Sequence, residues 1–165
     1  MHARFQLAET DGQIQEIADL AKVIWQEHFT PIIGMEQVQY MVDKFQSFSA
    51  LKEQVAKGYE YYQIFVREEF CGYCGIHPEN GKLFLSKLYI KKEARGQHLA
   101  TQALAFLEEL CRARGLISIW LTCNKHNENS LAVYRHLGFQ TIDTQEADIG
   151  GGFIMDDYIM EYVPA

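Results

Sequence analysis

Leu83-Phe84-Leu85-Ser86-Lys87-Leu88-Tyr89-Ile90, then a short connection, then Arg95-Gly96-Gln97-His98-Leu99-Ala100 and on to Leu110: this is the stretch whose reading decides the fold. Leu85, Leu88 and Ile90 have the apolar, β-favouring character of a buried strand over Leu83–Ile90. Leu99, Leu104, Phe106, Leu107 and Leu110 recur at helical spacing and predict a helix over roughly Gln97–Arg114. A helix start presents several backbone N–H groups without intrahelical partners, at the positive end of the helix dipole. Those donors make an anion site, and Arg95 adds a full charge at its mouth. A tight strand–turn–helix of this kind suits a pyrophosphate.

Working outward toward the N-terminus, Arg4–Leu7 alternates as a strand does. Thr10 or Asp11 can cap a helix whose apolar face is Ile14, Ile17, Leu20, Ala21, Ile24 and Trp25 and which is expected to end near His28. Pro31 disfavours helix at Thr30 and Gly34 permits a turn, so His28–Gly34 reads as an apolar loop. Flanked by Glu27 and His28, it is a candidate substrate wall. Helices are expected over Met35–Phe45 and Phe48–Lys57, the latter stopped by Gly58. Strands over Tyr61–Val66 and Phe70–His77, joined by Arg67-Glu68-Glu69, and the turn Pro78-Glu79-Asn80-Gly81 lead into the opening strand.

Toward the C-terminus, Gly115 ends the long helix and Ile117–Cys123 reads as the next strand. A helix over Asn129–Leu137 is stopped by Gly138, and Phe139–Gln145 and Phe153–Val163 read as closing strands around Gly150-Gly151-Gly152.

The loop Arg95-x-x-His98-x-Ala100 resembles the acyl-coenzyme A loop of the GNAT superfamily of N-acetyltransferases, Gln/Arg-x-x-Gly-x-Gly/Ala, with His98 where the family usually has glycine. One strand further on, Asn127-x-x-Ser130-x-x-x-Tyr134-x-x-x-Gly138-Phe139 resembles that family's Asn-x-x-Ala-x-x-x-Tyr-x-x-x-Gly-Phe, with Ser130 at the small-residue position. The two motifs stand in the family's order, and the succession of elements fits the fold over nearly the whole chain. The helical block up to Gly58 and the ending around Asp156-Asp157 bear a looser likeness to a bacterial branch that includes polyamine acetyltransferases. The resemblance implies an α/β fold in one domain over residues 1–165: a mixed, mostly antiparallel central sheet of six to seven strands, helices on both faces, and splayed central strands.

It also implies the chemistry: direct attack of an amine on the thioester of acetyl-CoA, the cosubstrate. By resemblance the backbone of Leu88, Tyr89 and Ile90 holds the pantetheine arm, and the Ile90 N–H polarises the thioester carbonyl. Arg95, Gly96, Gln97, His98, Leu99, Ala100 and Thr101 hold the pyrophosphate, and Asn127, Ser130 and Tyr134 complete the cofactor side. Tyr134 is the candidate general acid toward the departing thiolate. Asn127 and Ser130 also suit helix capping. An ammonium of pKa ~10.4 must lose its proton, at about 4–5 kcal/mol near neutral pH. Phe84 occupies the position where some members carry a glutamate base, so Glu27, His28, Tyr89 or a water chain are left as acceptors for that proton, with Glu27 and His28 foremost.

Composition sets the outer limits. The chain has 165 residues with 48% hydrophobic and 22% charged content, as expected of a folded domain with a proper core. No apolar run approaches the ~20 residues of a membrane span, and no export signal is read at the N-terminus, so a cytoplasmic protein is expected. A net charge of −7 argues against a nucleic-acid binder. Cys71, Cys74, Cys111 and Cys123 read as free thiols; Cys71-x-x-Cys74 lies in a strand with no second pair at zinc spacing, so no metal site is expected. An amine acceptor, small or polyamine, is the leading expectation. A protein or peptide amine and a non-catalytic acyl-CoA sensor are the alternatives, and a homodimer is left open.

Overall fold

The computed structural model describes residues 2–164. Seven strands form one sheet in the order β1-β2-β3-β4-β5-β7-β6: β1 Ala3–Leu7, β2 Glu60–Val66, β3 Glu69–Glu79, β4 Lys82–Ile90, β5 Ile119–Asn124, β6 Gln140–Gly150 and β7 Phe153–Tyr162. All neighbours are antiparallel except β4 and β5, which run parallel. Helices α1 (Asp11–Ile33), α2 (Met35–Met41) and α3 (Phe48–Ala56) cover one face; α4 (Leu99–Arg114) and α5 (Glu128–His136) cover the other. This is the mixed, splayed α/β sheet that the resemblance implied. No helix among the described residues is long and apolar enough to cross a membrane.

Strand alternation divides the core in two. On β2 and β3, Tyr61 and Tyr73 pack with Ile17, Ala21, Ile24, Trp25 and Leu51. Tyr62, Cys74 and Ile76 point the other way, against Leu104, Leu107 and Leu131. Thr10 and Gln13 exchange side-chain and backbone hydrogen bonds in a capping box at the start of α1.

The long first helix departs from expectation. It does not stop at His28 but runs through Pro31 to Ile33, and Gly34, at φ +88°, ends it while donating to the Thr30 carbonyl at 2.9 Å. Pro31 lies in the last turn, where its ring withholds only the bond to the Glu27 carbonyl. Phe29 is buried and Ile32 and Ile33 pack on the core, which favours keeping the turn helical. The next helix is shorter than expected: α2 gives way to a π-helical turn over Val42–Gln46. That turn carries Gln46 into the interior, where its side-chain oxygen accepts from the Tyr73 hydroxyl at 2.9 Å. At the other end, β6 extends to Gly150, beyond the expected Gln145, and Gly151 and Gly152 make the β6–β7 turn. The Tyr40 hydroxyl donates to the Ile149 carbonyl at 2.7 Å and ties this hairpin to α2.

Two irregularities of β4 position the site. Gly75 pairs with Lys87 but Ile76 pairs with Leu85, so Ser86 is an extra residue, a β-bulge. On its other edge β4 pairs with β5 only at Leu83↔Ile119 and Phe84↔Trp120. Beyond that point the two strands part.

Gly75 is required by its neighbours. A Cβ there would fall 2.7 Å from the Tyr61 ring, whose hydroxyl is held by Gln54. Gly75→Ala is expected to destabilise the protein by about 1–3 kcal/mol through overpacking, measured by chemical denaturation; an unchanged midpoint would show that the ring moves aside freely.

Candidate active site

The parting of β4 and β5 opens the sheet from both faces. Lys91 N–H donates to Cys71 carbonyl on the β3 side at 2.8 Å. Strand alternation therefore turns the backbone groups of Ile90 and Leu88 toward the opening, where β5 offers no partner. Arg95 Nε donates to the Ile90 carbonyl at 3.1 Å. The N–H groups of Leu88 and Ile90 are left facing the split.

On the α4–α5 side the split continues as a groove of about 600 Å³. Its walls include Leu88, Tyr89, Ile90, Arg95, Gly96, His98, Leu99, Ala100, Thr101, Ser130 and Tyr134. Nearly all the residues expected to hold the cofactor are thus brought together; Gln97 does not line the groove, and Asn127 lines the opposite cavity. Gly96 at φ +81° has open space where a Cβ would stand. His98, the residue before α4, has φ +58° and makes no side-chain cap. The family's glycine at this position thus corresponds to a left-handed backbone, which costs a non-glycine residue about 1–2 kcal/mol. His98 is exposed, so its ring leaves the amides of the first turn of α4 free to meet an anion.

On the α1–α3 side lies a cavity of about 490 Å³. Trp25, Phe29 and Ile33 of α1, Gln46 of the π-turn, Phe84 and Lys87 of β4, and Asp157 of β7 are among its walls. The two cavities share Leu88, Tyr89, Ser130 and Tyr134. Tyr134 therefore stands in the partition between them. Its ring meets Phe139 edge-on at 5.5 Å, and burial raises its phenol above the usual tyrosine value, so it is protonated at neutral pH and able to donate.

Glu27 and His28 fare differently from each other. Glu27 is exposed on α1 and lines neither cavity, because the continued helix turns it away from the apolar stripe. His28 faces the groove on the α4–α5 side and does not line the cavity on the α1–α3 side. Its Nε2 lies 3.2 Å from Asn127 Oδ1, which also accepts from the Ser130 N–H at 3.4 Å as the cap of α5. Burial lowers the imidazole pKa, the Asn127 contact opposes this, and Arg95 lowers it further. Tyr89 is wedged edge-on among Trp25, Phe29 and Tyr73, and burial raises its phenol too.

Sequence reasoning passed over Asp157 as a site residue. It sits opposite Asn124 on β7, is 3% exposed, and one of its carboxylate oxygens is buried without a hydrogen-bond partner. Burial, helped by the neighbouring Asp156 and opposed by Lys125, lifts its pKa from 3.8 to about 6. Cys123, on the same wall, has its thiol pushed up to about 12 by burial, so almost no thiolate exists there at neutral pH. Lys87 is also buried in this wall. The adjacent pair Asp156-Asp157 within a largely apolar strand was the sequence signal for Asp157.

Residues 17–139 match the Acetyltransferase (GNAT) family. Among solved structures, the chain is similar to a PaiA N-acetyltransferase from Thermoplasma acidophilum in complex with coenzyme A, at TM-score 0.83 and 17% identity, covering 99% of this chain and 100% of that one. It is similar to a spermidine N-acetyltransferase SpeG chimera from Vibrio cholerae and hSSAT, at TM-score 0.71 and 16% identity over 99% and 96% of the two chains. It is also similar to a RimL ribosomal alpha-N-protein acetyltransferase in complex with coenzyme A, at TM-score 0.68 and 17% identity over 98% and 93%. With the family match spanning most of its length, this chain belongs to the GNAT family of acetyltransferases.

Proposed function

We propose that this protein transfers the acetyl group of acetyl-CoA to the primary amine of a small molecule by direct attack, with Tyr134 as general acid and Asp157 as the acceptor of the amine proton. The observation that carries the reading is the shared partition: Leu88, Tyr89, Ser130 and Tyr134 face both the groove and the cavity, so an acyl group from one side and an amine from the other meet beside a phenol.

The groove suits the cofactor. The open space at Gly96 and the unpaired amides at the start of α4 would take the pyrophosphate, with Arg95 beside them. The Leu88 and Ile90 backbone would pair with the pantetheine arm, and the Ile90 N–H would support negative charge on the carbonyl oxygen. The amine nitrogen forms the new bond to the acyl carbon and the carbon–sulfur bond breaks. Tyr134 protonates the leaving thiolate, and Asp157, ionised above pH ~6, takes the proton that the amine must shed. Burial, which pushes the Cys123 thiol up to about 12, disfavours an acyl-enzyme there and supports direct attack.

The relatives in fold include both a spermidine and a protein N-acetyltransferase, so likeness of shape does not select the acceptor. The cavity favours a small amine, since it is walled by aromatic side chains of α1 and β4. It speaks against a polyamine: beside the single carboxylate of Asp157 its lining carries two lysines, Lys57 and Lys87.

Tyr134→Phe is expected to lower kcat about 10²-fold while shifting coenzyme A affinity less than about threefold, read by steady-state kinetics and calorimetry. Unchanged turnover would remove Tyr134 as the acid. Asp157→Asn is expected to lower kcat/KM about 10²-fold and to abolish the acid limb near pH 6 of the wild-type profile. Because the folded-state pKa is raised, the buried carboxylate weakens the fold increasingly as pH rises from about 4 to 6. Asp157→Asn should therefore be the more stable protein at pH 8, by about 1–2 kcal/mol after allowance for partial solvent screening, and lose that advantage near pH 4. His98→Gly should keep or improve coenzyme A affinity and gain about 1 kcal/mol of stability; a large loss of affinity would mean that the imidazole itself meets phosphate.

A further inference from the structure

Tyr61, Gly75 and Lys87 stand in one row across β2, β3 and β4, paired in register. Gly75 has no side chain, and the Tyr61 ring occupies the space where its Cβ would be. The ring thereby reaches Lys87, whose Nζ lies 5.4 Å from the ring centroid. The bulge at Ser86 makes this possible. Leu83 and Leu85 face the α4 side of the sheet, and strict alternation would send Lys87 after them. The extra residue reverses the phase and turns Lys87 into the cavity on the α1 side.

Lys87 is 8% exposed, and among the described residues no carboxylate lies within ion-pairing distance of its ammonium. Burial lowers its pKa to about 7. A buried ammonium without a counter-ion is unfavourable, and a tyrosine face offsets that only in part. Lys57, the other cation of the cavity, differs: it is mostly exposed and already paired with Glu53 at 2.9 Å. Lys87 is therefore the uncompensated cation, and Asp157 the uncompensated carboxylate, of one apolar cavity.

We infer that the acceptor is an amine that also carries a carboxylate, with Lys87 receiving the carboxylate while the amine is directed to Asp157 and Tyr134. This rests on the transferase reading above and names its substrate class. A bound carboxylate would supply the counter-ion that Lys87 lacks, and the apolar walls, Trp25, Phe29 and Phe84, would hold the body between the two ends. A polyamine would add cations beside Lys87 and relieve nothing.

The test uses amines matched except for the carboxylate: phenylalanine against phenethylamine, and 4-aminobutyrate against butylamine, with spermidine as polycation. In the wild-type protein the carboxylate-bearing member of at least one pair should have about tenfold or greater kcat/KM, and Lys87→Met should bring that ratio to within about threefold of unity. Equal use of both members of every pair, preference for the carboxylate-free members or for spermidine, or a Lys87→Met ratio equal to that of wild type would each overturn the inference while leaving the transferase standing. Equal loss of both members in Lys87→Met would also overturn it, in favour of a role for Lys87 in the chemistry. Acetylation of no amine at all, with acetyl-CoA bound, would overturn the transferase reading and this inference with it. Should Lys87→Met not fold, 3-phenylpropanoate decides on the wild-type protein alone: competitive inhibition against the acceptor supports the inference, and its absence overturns it.

Discussion

A sheet that is denied closure at one point governs this molecule. β4 and β5 pair over two residues and then part, so one edge of β4 runs through the middle of the protein with backbone groups that no strand satisfies. Buried donors and acceptors without partners are unfavourable, and a ligand that brings its own amides relieves them. The adjoining start of α4 adds a second set of unpaired amides to the same groove. The groove thus offers unpaired main-chain groups, and the exposed His98 at its edge does not cap them.

Burial then sets the proton states around the split. One low-dielectric wall keeps Tyr134 and Cys123 protonated, raises Asp157 and lowers Lys87. These shifts share a cause, yet their consequences differ with the group. A phenol held neutral can donate, a thiol held neutral is silent, a carboxylate lifted to about 6 is a better base than an ordinary one, and a lysine lowered to about 7 awaits an anion. The two halves of the site also differ in kind. The groove is built from β4, the start of α4 and α5, whereas the second cavity is assembled from α1, the π-turn after α2, β4 and β7.

Local order was legible in the amino-acid sequence. The strand, turn and helix around Arg95–Ala100 and the helix after Asn127 are continuous segments whose periodicity, glycines and capping residues act within a few positions of one another, and their place in the fold followed from their order. Errors arose where tertiary packing outweighed a local rule. Pro31 marked a helix end by itself, but the burial of Phe29, Ile32 and Ile33 carried the helix past it, and no apolar loop forms beside Glu27, which stands on the exposed face of that helix.

Residue order alone therefore determined the family, the order of the elements and the strand–turn–helix that walls the groove, because each depends on short-range pattern. Only the folded chain decided what lines the second cavity. Asp157 reaches the cavity through its pairing with Asn124, a residue that α5 and β6 separate from it along the chain. Lys87 reaches it because one extra residue at Ser86 reverses the alternation of β4. A shift of one position in a strand moves a side chain from one face of a sheet to the other, and that phase is fixed by pairing with distant strands, not by the neighbours in sequence.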